Sequence, residues 1–239
     1  MPALTLERLV ASLGFGSRKD ARNMIRDGIV EVAGEVIDDP SFELETRPET
    51  IVVGGEEIST EPEIFGMIHK PLAYECSARP QHHESVFSLL PERFVGMDVR
   101  CVGRLDVDTS GLLLFSNNGA FIHQMESPKK GLRKRYRAHL ARPFEKGQDK
   151  QLLNGVFLKG ERAPVNAKSV TAIDEKTVDI EITEGLYHQV RRMFAAVGNH
   201  VEDLERLAIG DIVLEDSLTP SSWRLLTAEE LQKLGFNRG

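Results

Sequence analysis

The stretch Val102-Gly103-Arg104-Leu105-Asp106-Val107-Asp108-Thr109-Ser110-Gly111 packs two carboxylates, a guanidinium and two hydroxyls between two glycines. Hydrophobic runs flank it, so it reads as a loop leaving one strand and entering another, the kind of segment on which a rigid sheet presents reactive groups. Asp106 and Asp108 share a face if the segment is extended and separate if it turns; Arg104 is the nearest cation. The chemistry implied is that of a carboxylate. A surface Asx turn with an ion pair would use the same residues.

Two further segments carry groups that suit a nucleic-acid ligand. In Lys134-Arg135-Tyr136-Arg137-Ala138-His139-Leu140, a strand places Lys134, Tyr136, Ala138 and Leu140 on one side and Arg135, Arg137 and His139 on the other. A tyrosine between cations can stack on a base while the cations meet phosphates. In Glu184-Gly185-Leu186-Tyr187-His188-Gln189-Val190-Arg191-Arg192-Met193-Phe194, a helix beginning near Tyr187 has Val190, Met193, Phe194 and Val197 as its apolar face. Arg191 then sits in the opening turns, where the helix dipole favours acids, and this points to a specific anionic partner: a substrate phosphate or a carboxylate such as Asp106.

The elements that must hold these groups form two parts. Leu6, Leu9, Val10 and Leu13 mark one helix, ended by Gly14 and Gly16. Ser17 and Asp20 suit a capping box for a second, with Ala21, Met24 and Ile25 as its apolar face, and Gly28 stops it. Ile29–Val32 and Glu35–Ile37 follow as a hairpin around Gly34, and the polar stretch Gly54–Pro62 reads as a linker. Beyond Glu63 the pattern is a mixed sheet. Expected strands are Ile64–His69, Val99–Val102, Leu112–Phe115, Tyr136–Leu140, Ala167–Ile173 and Val178–Thr183. Helices are expected at Glu84–Leu90, Gly119–Met125, Glu145–Leu153, Tyr187–Val197 and Ala228–Leu234. Strand and helix do not alternate regularly, which predicts an α+β fold with a largely antiparallel sheet.

Composition bounds the rest. The 239 residues carry a formal charge of −7, but the charge is segregated. Lys129, Lys130, Arg133, Lys134, Arg135, Arg137, Arg142 and Lys146 face the single acid Glu145 in their segment, and Arg18, Lys19, Arg22 and Arg26 form a second basic cluster. Focused basic segments on an acidic background suit selective RNA contact. No run of 18 apolar residues predicts a membrane span. The opening residues lack a basic stretch followed by an apolar one, which predicts cytoplasmic residence. Cys76 and Cys101 are too few for a disulfide framework and lack metal-ligand spacing, so neither metal nor cofactor is expected.

Taken together, these segments resemble the RsuA/RluB family of ribosomal RNA pseudouridine synthases over essentially the whole chain. Gly103-Arg104-Leu105-Asp106, continued by Asp108-Thr109-Ser110-Gly111-Leu112-Leu113, looks like the family's catalytic signature; His188-Gln189-Val190-Arg191-Arg192-Met193 resembles its late motif, and His69-Lys70-Pro71 its early Asn-Lys-Pro element. The first unit looks like an S4 RNA-binding domain, though Leu4-Thr5-Leu6-Glu7 lacks the usual basic opening. The resemblance implies an S4-like domain at 1–58, a synthase domain at 63–239 and isomerisation of a uridine in ribosomal RNA without a cofactor. It implies Asp106 as the essential aspartate, Tyr136 as the ring that stacks on uracil and Arg191 as the basic residue paired with the aspartate. Lys70, Arg104, Lys129, Lys130, Arg133, Lys134, Arg137, His188, Gln189, Arg192 and the Arg18, Lys19, Arg22 and Arg26 cluster are then the expected RNA contacts. Tyr187-His188-Gln189 and Ala195–His200 favour the small-subunit branch, hence 16S rRNA in a partly assembled subunit, a monomer and no stable protein partner. The alternatives are a large-subunit synthase and a non-catalytic RNA-binding assembly protein.

Overall fold

The computed structural model describes residues 4–127 and 130–237. It divides into two compact units, one of residues 1–64 with 90–100 and one of residues 65–89 with 101–239.

In the first unit the helices Leu6–Ser12 and Arg18–Arg26 pack by Leu6, Leu9, Val10, Ala21 and Ile25. The expected capping box forms: Asp20 N–H donates to the Ser17 hydroxyl, and the Asp20 carboxylate accepts from Ser17 N–H at 2.8 Å. A four-stranded antiparallel sheet runs Glu35–Val36, Val30–Val32, Thr50–Val53, Glu56–Ser59. The expected linker at Gly54–Pro62 is therefore corrected. Gly54 and Gly55, at φ 60° and 85°, make a hairpin turn, and Ile58 beyond it enters the core beside Ile51 and Val53. One buried residue among glutamates gave Glu56–Ser59 too weak an alternation to be read as a strand.

The second unit is built on a mixed sheet ordered Ser169–Ala172, Thr177–Ile182, Lys134–Leu140, Val201–Ile209, Thr109–Ser116, Phe65–Lys70, Trp223–Leu225. Thr109–Ser116 and Val201–Ile209 pair in parallel, and the other pairs along this order are antiparallel. The α+β expectation holds. Helices Gly119–Glu126 and Ala228–Lys233 cover a core of Phe65, Met67, Leu112, Leu114, Phe121, Leu231 and Leu234.

Two expectations change here. Glu84–Leu90 is not an α-helix but a two-residue strand, Glu84–Ser85, followed by a 3₁₀ turn, Val86–Leu89. Pro91 disfavours helical backbone at Leu90 and stops the segment early. Val201–Ile209, unforeseen in the sequence, lies mid-sheet between Lys134–Leu140 and Thr109–Ser116. Its pairing with Lys134–Leu140 shifts register twice, between Arg135 and Tyr136 and between His139 and Leu140. Those irregularities break the period-2 signal that would have marked it. Among the described residues no helix is long and apolar enough to cross a membrane.

Candidate active site

Asp106 lies in the loop that feeds the strand Thr109–Ser116. The loop turns: Thr109 N–H donates to the Asp106 carbonyl at 3.1 Å. The two aspartates are therefore separated rather than sharing a face. Beneath the loop the Lys70 ammonium is fully buried and donates to the carbonyls of Pro71 (3.0 Å), Asp106 (3.1 Å) and Thr109 (2.8 Å). Burial pushes this ammonium below its ordinary value, while Cys76, Asp106 and Asp108 act to raise it. Lys70 was expected to touch RNA; sealed from solvent, it instead braces the loop from below. Ala73 N–H donates to the Val107 carbonyl, and Glu126 accepts from Gly103 N–H at 2.9 Å. The loop is thus tied down from both ends.

The Asp106 side chain keeps 40 % of its surface exposed, and its Oδ2 lies 3.6 Å from His188 Nε2. Asp106 opens on a cavity of about 740 Å³ whose walls include Arg104, Lys134, Tyr136, Leu186, His188, Arg191, Leu204 and Arg206. Tyr136 is buried on the inward face of its strand, opposite Arg206 in register. The alternation expected for 134–140 is met: Tyr136, Ala138 and Leu140 are buried, whereas Arg137 points the other way into a two-pronged pair with Asp179 at 2.8 and 2.9 Å.

Arg191 is where geometry and expectation diverge. Its Nη2 meets Asp108, both the carboxylate at 3.1 Å and the carbonyl at 2.8 Å, while Nη1 donates to the Val201 carbonyl at 2.8 Å. The anionic partner inferred for this helix-start arginine exists, but it is Asp108 and not Asp106. The turn at 106–109 aims the two carboxylates at different neighbours. His188, which caps the helix Gln189–Ala196, is the cation-capable group facing Asp106; it is held at φ 47°, a strained conformation for a non-glycine residue. The Tyr187 ring stacks on it at 3.9 Å.

Other expected contacts have framework partners. Gln189 is buried and bonds Leu186 N–H and Glu184; Arg192 bonds Glu161 and the Tyr187 carbonyl; Arg22 pairs with Glu7 at 2.6 Å. Arg18, Lys19, Arg26, Arg104, Lys130 and Arg133 are exposed. Lys134 is half-buried and reaches the Glu184 carbonyl; burial, then the nearby Arg206, lower its basicity. Lys129 lies outside the described residues. Arg206 was missed entirely, because the strand that carries it was missed.

Residues 65–196 match the family model for RNA pseudouridylate synthase, which is more than half of the chain, and residues 5–57 match the S4 domain. The chain belongs to the RNA pseudouridylate synthase family. This synthase is 38% identical to ribosomal small subunit pseudouridine synthase A of Vibrio cholerae over 97% of its own length and 99% of the relative's. It is 35% identical to the Escherichia coli K12 protein of the same name, over 95% and 98% of the two chains. Among solved structures it resembles a pseudouridylate synthase crystal structure at TM-score 0.69 and 33% identity, covering 97% of this chain and 100% of that one. The enzyme is accordingly an isomerase with an S4 domain ahead of its synthase domain.

Proposed function

We propose that this synthase converts a uridine of small-subunit ribosomal RNA to pseudouridine, with Asp106 as its acting carboxylate and Tyr136 as the ring beneath the base. The observation that carries the assignment is the open Asp106 carboxylate sharing one cavity with Tyr136. An ionised carboxylate there can attack C1′ or take the C2′ proton; either route breaks N1–C1′. The base then turns and C5 joins C1′, C5 giving up its proton while N1 gains one. Tyr136 stacks on the freed base. Arg191 serves the site through Asp108, fixing the loop rather than neutralising Asp106. The target uridine must leave its helical context to enter such a cavity, which favours RNA in a partly assembled subunit. Exposed Lys130 and Arg133 hold the flanking backbone. The S4-like part at 1–58 supplies a second RNA contact to the catalytic part at 63–239, and the protein works as a cytoplasmic monomer.

Mapping pseudouridine in ribosomal RNA from cells with and without the protein tests this. A single small-subunit uridine left unmodified is the expected result. Loss confined to large-subunit RNA, or no loss at all, would overturn the substrate assignment.

A further inference from the structure

Arg206 is an inward-facing guanidinium with only 2 % of its surface exposed, on the strand directly paired with that of Tyr136. Its Nε donates to the Leu112 carbonyl at 2.7 Å, while its Nη2 is buried with no hydrogen-bond partner in the protein. None of the ion pairs among the described residues includes it. A buried cation with neither a carboxylate nor a full set of hydrogen bonds is costly to keep. Its surroundings add to that cost, since Lys70 and Lys134 both sense its charge and are less basic for it.

The backbone is shaped to accept this placement. Gly111, at φ 106°, pairs with Arg206 across the parallel strands, and a Cβ on Gly111 would come within 2.3 Å of the Arg206 carbonyl oxygen. The last glycine of the Asp106 loop thus allows the arginine's strand to approach.

We propose that Arg206, with Lys134 beside it, is the fixed positive charge that stabilises the uracil as an anion when the N1–C1′ bond breaks. The inference rests on the proposed function. In that reaction the electron pair of the broken bond stays on N1 and spreads to the base's carbonyl oxygens; the base is neutral again once C5–C1′ has formed, C5 has lost its proton and N1 has gained one. The charge is therefore transient, and a cation without a ground-state counterion favours that interval over the bound substrate. Arg191 also has a buried nitrogen without a partner, its Nε. Its charge is already met by the Asp108 carboxylate at 3.1 Å, however, and its other nitrogens bond two backbone carbonyls, so it is the less suited of the two. Arg206 is assigned no contact with the reacting atoms; it acts through its field beneath the stacked base.

The test compares single-turnover rates on RNA carrying uridine or 5-fluorouridine at the target, because fluorine makes the departing base a weaker base that needs less help. Each rate is read as disappearance of the N-linked nucleoside. Arg206→Met should slow the uridine reaction by tenfold or more and the fluorinated one several-fold less; Arg206→Lys should restore most of both. Equal slowing of both substrates would overturn the proposal and make Arg206 a structural residue. If Arg206→Met does not fold, Lys134→Met must show the same inequality, and equal losses there overturn the proposal equally. A wild-type protein inactive on ribosomal uridine would instead refute the proposed function.

Discussion

At the scale of single residues the geometry turns on a two-residue interval. Asp106 and Asp108 are separable by sequence only if the backbone between them is known, and the turn closed by Thr109 N–H decides it. One carboxylate faces His188 and the cavity, the other faces Arg191. The different partners make the substitutions unequal. Asp108→Asn removes an ion pair whose carboxylate is largely exposed but leaves the Arg191 bonds to the Asp108 and Val201 carbonyls. Such a pair is worth about 1 kcal/mol or less, so single-turnover activity should fall by roughly fivefold at most. A loss beyond a hundredfold would show that Arg191 depends on Asp108 for more than loop geometry. Asp106 and Tyr136 were legible as a loop acid and an inward ring. Arg206 was not, because Glu202, Asp203 and Glu205 around it make its strand read as a solvated segment.

At the scale of elements, the loop is held by a lysine from the neighbouring strand Phe65–Lys70, a role that His69-Lys70-Pro71 does not announce. Lys70→Met would remove the ammonium shared by the carbonyls of Pro71, Asp106 and Thr109. Asp106 keeps its bond from Thr109 N–H, so the loss falls chiefly on the buried Thr109 contact, at about 1–3 kcal/mol for a buried carbonyl left orphaned. The expected result is a lowered melting temperature with a reduced single-turnover rate at saturating RNA and nearly unchanged RNA affinity. Unchanged rate and stability would rule out this bracing role for Lys70. The C-terminal helix Ala228–Lys233 gives a pH signature. Arg224, hydrogen-bonded to Glu230 at 2.7 and 2.8 Å, holds that carboxyl below its ordinary value of 4.5. A depressed carboxyl stabilises the fold fully above its unfolded value, and this contribution fades as pH falls through the folded one. The melting-temperature deficit of Glu230→Gln should therefore be full at pH 7 and shrink progressively below about pH 4.5. A deficit constant across that range would mean the glutamate acts only as a helix cap. Helix starts with strong caps, such as Ser17 and Thr227, were legible; the Glu84–Leu90 segment was not, because its apolar spacing suits a 3₁₀ turn as well as an α-helix.

At the scale of the whole molecule, the net charge of −7 conceals where the cations are. Of the basic run after Lys129, Arg137 is held by Asp179 in a two-pronged hydrogen-bonded pair, whereas Lys130 is exposed and Arg133, also exposed, meets Glu181 only at 3.7 Å. Neutralising Lys130 and Arg133 should weaken RNA binding and lower the slope of log K against log salt by somewhat under one unit for each phosphate left without its cation. Neutralising Arg137 should leave the slope nearly unchanged. Equal effects would mean that the Asp179 pair does not withhold Arg137 from RNA. The two-part organisation was visible in the sequence. The assignment of residues 90–100 to the first unit was not, because it depends on packing between segments far apart in the chain, as where a Cβ on Gly14 would collide with the Arg93 carbonyl. All three scales converge on one carboxylate, and tritium release from C5-labelled uridine in ribosomal RNA reads its role directly. Wild-type protein should release the label, and Asp106→Asn, folded and still binding RNA, should release none above background; release within tenfold of wild type would contradict the assignment of Asp106 as the acting group.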